Sequence, residues 1–444
     1  MGDRLDAVGI EVRKIEPAEV EAFARSVTVP FLDSQDDEDK IGHMTRDVEP
    51  DRAWVAVEEG RFVANCCNLT RDVTLPGWQG EPCPTVPLTA VSEVGVHPTH
   101  RRRGLLTQMM GELLDDGRRR GEPLAGLVAS EGSIYGRFGF AVATEMARWR
   151  ADPKRTAYVE PMKQADITLA TANEVAKMVP KIHDRHRRAR AGEVDRHDRW
   201  WDETLADPRD KRKGQSQWFF LIAGDGDGYA AYRGEDMSND RDFGGRVRVH
   251  DMYATDPDIE AALWRFVFDL DLVKEVVGER RPVDEPLRWR LKDPRRLRVE
   301  RVEDGLWMRI LDVPKALEAR GYERSGSLCF EVVDRPELSP TGTNKANGSD
   351  ATDEQRVLGK WVLEVDAEST AVDCRRPKAG NHKDKPQLRL GIGALSALLF
   401  GGVSARALAR AGLIELTGEG QHGAVAEADG LFSTSLAPMS TTGF

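Results

Sequence analysis

Val94-Gly95-Val96-His97-Pro98-Thr99-His100-Arg101-Arg102-Arg103-Gly104-Leu105-Leu106-Thr107 joins an apolar strand to a helix through a basic turn. Leu105, Leu106, Met109, Met110, Leu113 and Leu114 form a stripe of 3.6-residue period that packs such a helix on a sheet. The first N–H groups of a helix lack intrahelical partners, and the aligned peptide dipoles make that end partly positive. A diphosphate satisfies both. Gly104 tolerates positive φ and lets the backbone approach phosphate oxygens, while Arg102 and Arg103 supply forked donors and fixed charge. No Gly-Lys-Ser/Thr follows, so this is no Walker loop, and the glycines of a dinucleotide fingerprint are absent.

Further along comes Ala129-Ser130-Glu131-Gly132-Ser133-Ile134-Tyr135-Gly136-Arg137-Phe138-Gly139, a phenol set among glycines that let a substrate come close. A diphosphate seat followed by a shielded phenol points to transfer of a group carried by coenzyme A. Arg101-x-x-Gly104-x-Leu106 resembles the acetyl-CoA motif of the GNAT N-acetyltransferases, Q/R-x-x-G-x-G/A, and departs from it only at Leu106. That departure, with the Ser130–Gly139 segment, resembles one branch, the enhanced intracellular survival (Eis) proteins of actinobacteria. The resemblance covers the whole chain, including its length and its terminal aromatic residue.

Outward from this stretch, three regions separate. Residues 1–155 begin with a helical pattern whose apolar positions are Val20, Phe23, Ala24 and Val27. Ala53–Val57 and Phe62–Ala64 follow as strands joined in a hairpin across Glu59-Gly60. A strand at 91–96, the helix from Leu105 and a strand at Leu124–Ala129 complete an acetyltransferase-like order. Residues 156–296 repeat the theme without the chemistry: a hairpin at 218–232, a strand at Val247–Ala254 and a helix at Ile259–Leu272. Here Thr255-Asp256-Pro257-Asp258 replaces the basic glycine loop, and its charge repels a diphosphate. Asp225 and Asp227 in the hairpin lack the ligand spacing of a calcium loop and read as a turn. From 297 onward, segments at 306–311, 328–333, 361–365 and 388–400 and a helix at Val403–Leu413 resemble the sterol-carrier-like fold that closes the Eis proteins. Residues 335–355, rich in Pro, Gly, Ser, Thr, Asn and Asp, read as an exposed, mobile insertion. The fold class expected is α+β: two tandem GNAT-like domains, the second degenerate, followed by a sterol-carrier-like domain.

Composition agrees with a large water-facing enzyme. At 444 residues the chain exceeds one ordinary core, and 31% of its residues are charged. Net charge is -11, which argues against nucleic-acid binding and favours cationic substrates. No apolar run approaches the roughly 20 residues a membrane span needs, and no signal h-region follows Met1. Cys66, Cys67, Cys83, Cys329 and Cys374 form neither a C-x-x-C pair nor a Cys/His cluster. No metal site is expected. An odd number of scattered thiols fits a reducing cytoplasm.

Acetyl transfer to an amine needs a neutral nitrogen, a polarised thioester and a protonated leaving thiolate. Tyr135, a phenol of pKa about 10, stays protonated at neutral pH and suits the role of proton donor. The resemblance implies that the carboxylate of the last residue, Phe444, is the proton acceptor, with Gly443 allowing the turn. His97 and His100 are alternatives, ranked lower because both lie in the phosphate loop. The resemblance also implies acetyl-CoA as co-substrate, held by Val94, Gly95, Val96, Arg102, Arg103, Gly104, Leu105, Leu106, Thr107, Ser130 and Glu131. It further implies a broad pocket acting on several amines of one acceptor, of aminoglycoside, polyamine or lysine type, and assembly as a hexamer, a trimer of dimers. Asp33, Asp36, Asp37, Glu38 and Asp39 make an acidic run where such folds contact the acceptor; a run of this kind is ordinarily solvated surface, and facing the cleft it would attract cationic amines. Two rival readings stand beside this one: an acyl-CoA-sensing or lipid-binding protein without turnover, and an acyltransferase using longer acyl-CoA.

Overall fold

A computed structural model describes residues 9–34, 37–162, 164–238, 243–254, 256–333, 356–378, 387–417 and 421–444. The expected insertion at 335–355, and Asp36 and Thr255, lie outside the described residues.

The chain opens with β1 (Ile10–Lys14), α1 (Val20–Phe31) and α2 (Glu38–Asp47), then β2 (Ala53–Glu58), β3 (Arg61–Thr74) and β4 (Thr85–Val96). α1 buries Phe23, Ala24 and Val27, as its periodicity predicts. The hairpin turns at Glu59 and Gly60, both with positive φ, the signature of a two-residue type I′ turn. Next come α3 (Leu105–Arg119), β5 (Leu124–Val128), α4 (Gly132–Tyr135) and the short β6 (Ala141–Val142).

After β7 (Glu145–Ala151), β8 (Ile167–Ala170), α5 (Ala172–Arg187) and α6 (Asp198–Ala206), the chain forms β9 (Phe219–Ala223), β10 (Gly228–Asp236) and β11 (Gly245–Ala254). Then follow α7 (Pro257–Phe268), β12 (Val273–Arg281), α8 (Leu287–Arg290), β13 (Leu297–Asp304) and β14 (Leu306–Ile310). α7 therefore starts and stops earlier than the 259–272 read from the sequence, because Pro257 occupies its first turn and Asp256 caps it. Asp225 and Asp227 sit in the turn between β9 and β10, where Asp227 N–H donates to Ala223. The last part holds α9 (Val313–Ala319), β15 (Gly326–Val333), β16 (Gly359–Asp366), β17 (Ala371–Arg375), β18 (Leu388–Gly391), α10 (Ile392–Leu399), α11 (Ala405–Arg410), β19 (Ile414–Leu416) and α12 (Gln421–Phe432).

Three sheets result, ordered β1-β2-β3-β4-β5-β14-β6, β13-β7-β12-β11-β10-β9-β8 and β17-β16-β15-β18-β19. Three strands depart from a purely sequential division: β13, which opens the third region, lies at the edge of the second sheet, and two others cross as well. β7, within the first region by sequence, pairs with β12 and β13 of the second sheet. β14, within the third region, inserts between β5 and β6 of the first. The two crossings run side by side: Gly305 N–H donates to the Thr144 carbonyl (2.9 Å) and Leu306 N–H to the Thr144 hydroxyl (2.8 Å). A Cβ on Gly305 would lie 2.5 Å from that hydroxyl, so only glycine lets the strands pass. Alternation alone cannot reveal such an exchange, because a strand carries the same period in either sheet.

Candidate active site

β4 carries a bulge where its pairing with β3 shifts, and Glu93 there has φ 51°. The Asn65 amide donates to the Glu93 carbonyl (2.6 Å) and fixes the kink. On its other edge β4 pairs with β5 only over Leu88–Ala90. β5 then stays with β14 along its whole length, so the two strands part. Among the described residues, no strand pairs with β4 on that side beyond Ala90. Val91–Val96 thus present main-chain N–H and C=O groups in the extended arrangement that an amide-bearing chain can pair with. Gly95 has a packing reason of its own: a Cβ there would sit 2.5 Å from Pro30 of α1.

The basic turn meets α3 with its N-terminus open. Gly104 holds the cap position at φ 80°, and no side chain caps the helix. A Cβ on Gly104 would meet nothing of the protein within 4 Å, so conformation rather than space selects glycine. Arg102, Arg103 and Thr107 are exposed, Leu105 is buried and Leu106 half-buried. Arg102 adopts φ 66°. The turn is braced from below by Glu58: its carboxylate lies 2.7 Å from His100 Nε2 and accepts from Arg103 (3.3 Å). The hydrogen bond with His100 holds the Glu58 carboxyl below the usual carboxylate range. His97 and His100 flank the Thr99 hydroxyl at 2.7 Å each, which leaves them bracing the loop.

Tyr135 ends α4 and is 6% exposed. Burial pushes its phenol pKa up, a hydrogen bond from Ser130 works the other way, and the Glu131 charge adds to the rise. The phenol is therefore protonated across the neutral range. Its ring meets Phe140 edge-on at 6.3 Å. Gly139 closes the segment at φ 77°, and a Cβ there would meet Ile392 of α10 at 2.6 Å. Tyr135 and Leu105 belong to one core cluster, with Val94, Val96, Leu106, Ala129 and Ile134 packed against it. The structure thus brings the phenol, the open helix end and the kinked strand together. Ser130 and Glu131 lie exposed at the start of the Tyr135 segment.

Phe444 packs on a different core cluster, which runs from the first sheet into the third. The tail leading to it is not frayed: Ser440, Thr441 and Thr442 are buried. Glu193, Arg196, Asp251 and Tyr253 surround them, four residues that motif reading overlooked. The one available signal was Asp251 within an otherwise strand-like Val247–Ala254.

The acidic run is largely consumed locally. Asp33 pairs with Lys40, Asp37 caps α2 by accepting from Lys40 N–H (2.9 Å), and Glu38 pairs with Arg25 (3.0 Å). What the sequence missed nearby is Glu93, whose carboxyl is pushed up by burial, with Lys40 opposing and Asp33 adding to the rise. Cys66, Cys67, Cys83 and Cys374 are free thiols. Among the described residues no group of His, Cys, Asp or Glu could hold a metal, and no helix is long and apolar enough to cross a membrane.

Comparison with known proteins accords with this geometry. Residues 11–143 and 192–310 each match an acetyltransferase (GNAT) domain, and 313–440 match a sterol carrier protein domain. An uncharacterized N-acetyltransferase of Streptomyces avermitilis is 34% identical over 439 residues, 97% of each chain. The N-acetyltransferase Eis of Mycobacterium tuberculosis is 34% identical over 323 residues, 68% of this chain and 77% of its own. The crystal structure of Eis1 from Mycobacterium abscessus superposes with a TM-score of 0.80 at 28% identity, covering 98% of this chain and 100% of that one. GNAT domains take acetyl-CoA as co-substrate, and the kinked strand, open helix end and basic turn of the first domain fit it. Matched in fold from end to end and in sequence over most of its length, the chain belongs to the Eis family of GNAT N-acetyltransferases and is an acetyltransferase.

Proposed function

We propose that the chain transfers the acetyl group of acetyl-CoA to primary amines of cationic acceptors, of aminoglycoside, polyamine or lysine type, at several positions on one molecule. The observation that carries this reading is the single core cluster joining Tyr135 to Leu105 and the kinked end of β4. In this reading Arg102, Arg103 and the N–H groups from Gly104 to Thr107 bind the diphosphate. The backbone of Val94, Gly95 and Val96 orients the thioester arm, with Ser130 and Glu131 at its margin. Attack of the neutral amine on the carbonyl expels the thiolate, which takes the Tyr135 proton. The Phe444 carboxylate accepts the proton lost by the amine. The net charge of -11 favours a cationic acceptor.

The working units in this reading are a catalytic domain over 1–155, a degenerate one over 156–296 and a sterol-carrier-like one over 297–444, assembled as a hexamer, a trimer of dimers, in the cytoplasm. A thiol-release assay with acetyl-CoA, using protein with a native C-terminus and a panel of aminoglycosides, polyamines and lysine peptides, tests it. Turnover on these amines is expected. Bound acetyl-CoA without release of thiol across the whole panel would overturn the reading and favour a sensor.

A further inference from the structure

We propose that Glu193 and Arg196 are positioning residues that lock the C-terminal tail and so aim the Phe444 carboxylate; this rests on the reading of that carboxylate as proton acceptor. The second domain supplies a rail. Arg190 donates to the Ala437 carbonyl (2.6 Å), and Met439 N–H donates to the Ala191 carbonyl (2.9 Å). Gly192, at φ 102°, lets the tail run close, since a Cβ would lie 2.9 Å from the Met439 carbonyl oxygen.

The lock follows at Glu193. One oxygen of its buried carboxylate accepts from Thr442 N–H (3.0 Å) and the Ser440 hydroxyl (3.2 Å). The other accepts from Thr441 N–H (2.9 Å) and the Thr441 hydroxyl (2.8 Å). Arg196 donates to the hydroxyls of Thr441 and Thr442, each at 2.9 Å, and to Asp251 at 2.8 Å. Its guanidinium lies 3.8 Å from the Trp200 ring centre, and Arg280 donates to the Thr441 carbonyl (2.9 Å). The Tyr253 hydroxyl lies 2.9 Å from that of Thr441.

Glu193 also reaches the other way. Its carbonyl accepts from Thr74 N–H (3.0 Å) at the end of β3, and Gly192 N–H donates back to Thr74 (2.8 Å). One residue thus ties the first sheet to the tail, through its main chain on one side and its carboxylate on the other. Buried charges are a poor way to gain stability, since apolar replacements often serve as well, but they define a single register. Phe444 lies two residues past Thr442, roughly 7 Å of extended chain, so fixing Thr442 confines the carboxylate of that reading to a small volume.

The test compares Glu193→Ala, Glu193→Gln and a Phe444 deletion in the full chain. Readouts are kcat, acetyl-CoA affinity by calorimetry, and release of Phe444 by carboxypeptidase. Glu193→Ala is expected to lower kcat by roughly tenfold to a hundredfold while affinity changes less than about twofold, because geometry and not cofactor binding is lost. Phe444 is released faster, and Glu193→Gln recovers part of both effects. Should Glu193→Ala fail to fold, Thr441→Val removes the shared hydroxyl from the tail itself and carries the same expectation. Full turnover after deletion of Phe444 would overturn the underlying reading and this proposal with it. Loss of turnover on deletion, with unchanged kcat or unchanged Phe444 release in Glu193→Ala, would overturn the lock alone.

Discussion

α3 and α7 begin at corresponding places in two sheets of the same order, and they begin differently. Gly104 leaves the α3 N-terminus uncapped beneath a basic turn, whereas the Asp256 carboxylate accepts from Asp258 N–H (2.6 Å) and occupies the α7 N-terminus. Asp258 and Glu260 add negative charge to the first turn of α7. The strands differ in the same sense. β11 and β12 also part, after Val249 and Gly278, but Arg281 enters beside β11, donating to the Met252 carbonyl (3.2 Å), Glu260 (2.6 Å) and Glu285 (2.9 Å). Beyond Ala90, the corresponding edge of β4 has no strand partner among the described residues. One scaffold therefore carries an uncapped helix end and an unpaired strand edge in one sheet, and a capped helix end and a filled strand gap in the other.

Tyr135 has the largest expected effect. Tyr135→Phe is expected to lower kcat by roughly a hundredfold or more with acetyl-CoA affinity nearly unchanged. Unchanged turnover in a steady-state assay would remove it as the acid. Gly104→Glu imports the chemistry of the second domain into the first, placing a carboxylate and a strained positive φ at the helix end. Calorimetry is expected to show acetyl-CoA bound at least tenfold or so more weakly, an effect the loss of dipole and charge complementarity readily supplies.

Acid sharpens the contrast. Burial lowers His183, and it lowers His186 to about 4, while neither His183 Nε2 nor His186 Nδ1 has a hydrogen-bond partner among the described residues. Both contact Tyr253, with Arg190, Arg196, Glu193 and Asp251 around them. A histidine with a lowered folded pKa binds fewer protons folded than unfolded, so its contribution is intact above the unfolded value of about 6.5 and is lost as pH falls. The melting temperature should decline progressively from about pH 6.5 towards the His186 value of about 4, with proteolysis opening the second domain first. A flat melting curve over that window would show these rings to be solvated. The smallest effect belongs to Asp256→Ala, expected to cost about 1 kcal/mol of stability through the lost cap while acetyl-CoA still binds at one site per chain. A second site appearing on titration would mean that the acidic cap alone had closed the second domain.

Much of this was legible in the chain. The stripe from Leu105 to Leu114, the Glu59-Gly60 turn and the contrast between His100–Gly104 and Asp256–Asp258 are local: each follows from helix periodicity, positive φ or charge within a few residues. The acidic run was legible as charge but not as contacts, because counting charges does not show that Lys40, a helix end and Arg25 claim Asp33, Asp37 and Glu38. The exchange of β7 and β14 between sheets, the brace from Glu58 to His100, and the lock of Glu193 and Arg196 on Thr441 and Thr442 were beyond its reach.

What the chain alone settles is local: a helix start beneath a basic glycine turn, another beneath acidic residues, and a phenol among glycines a short way past the first. Long-range packing supplies the rest: Tyr135 shares a core with the α3 N-terminus, and Thr442 is held by Glu193, 249 residues upstream. The reason is physical. Local conformational preferences act over a turn or two, whereas a buried carboxylate finds its donors wherever folding brings them, and spacing along the chain carries no record of the meeting.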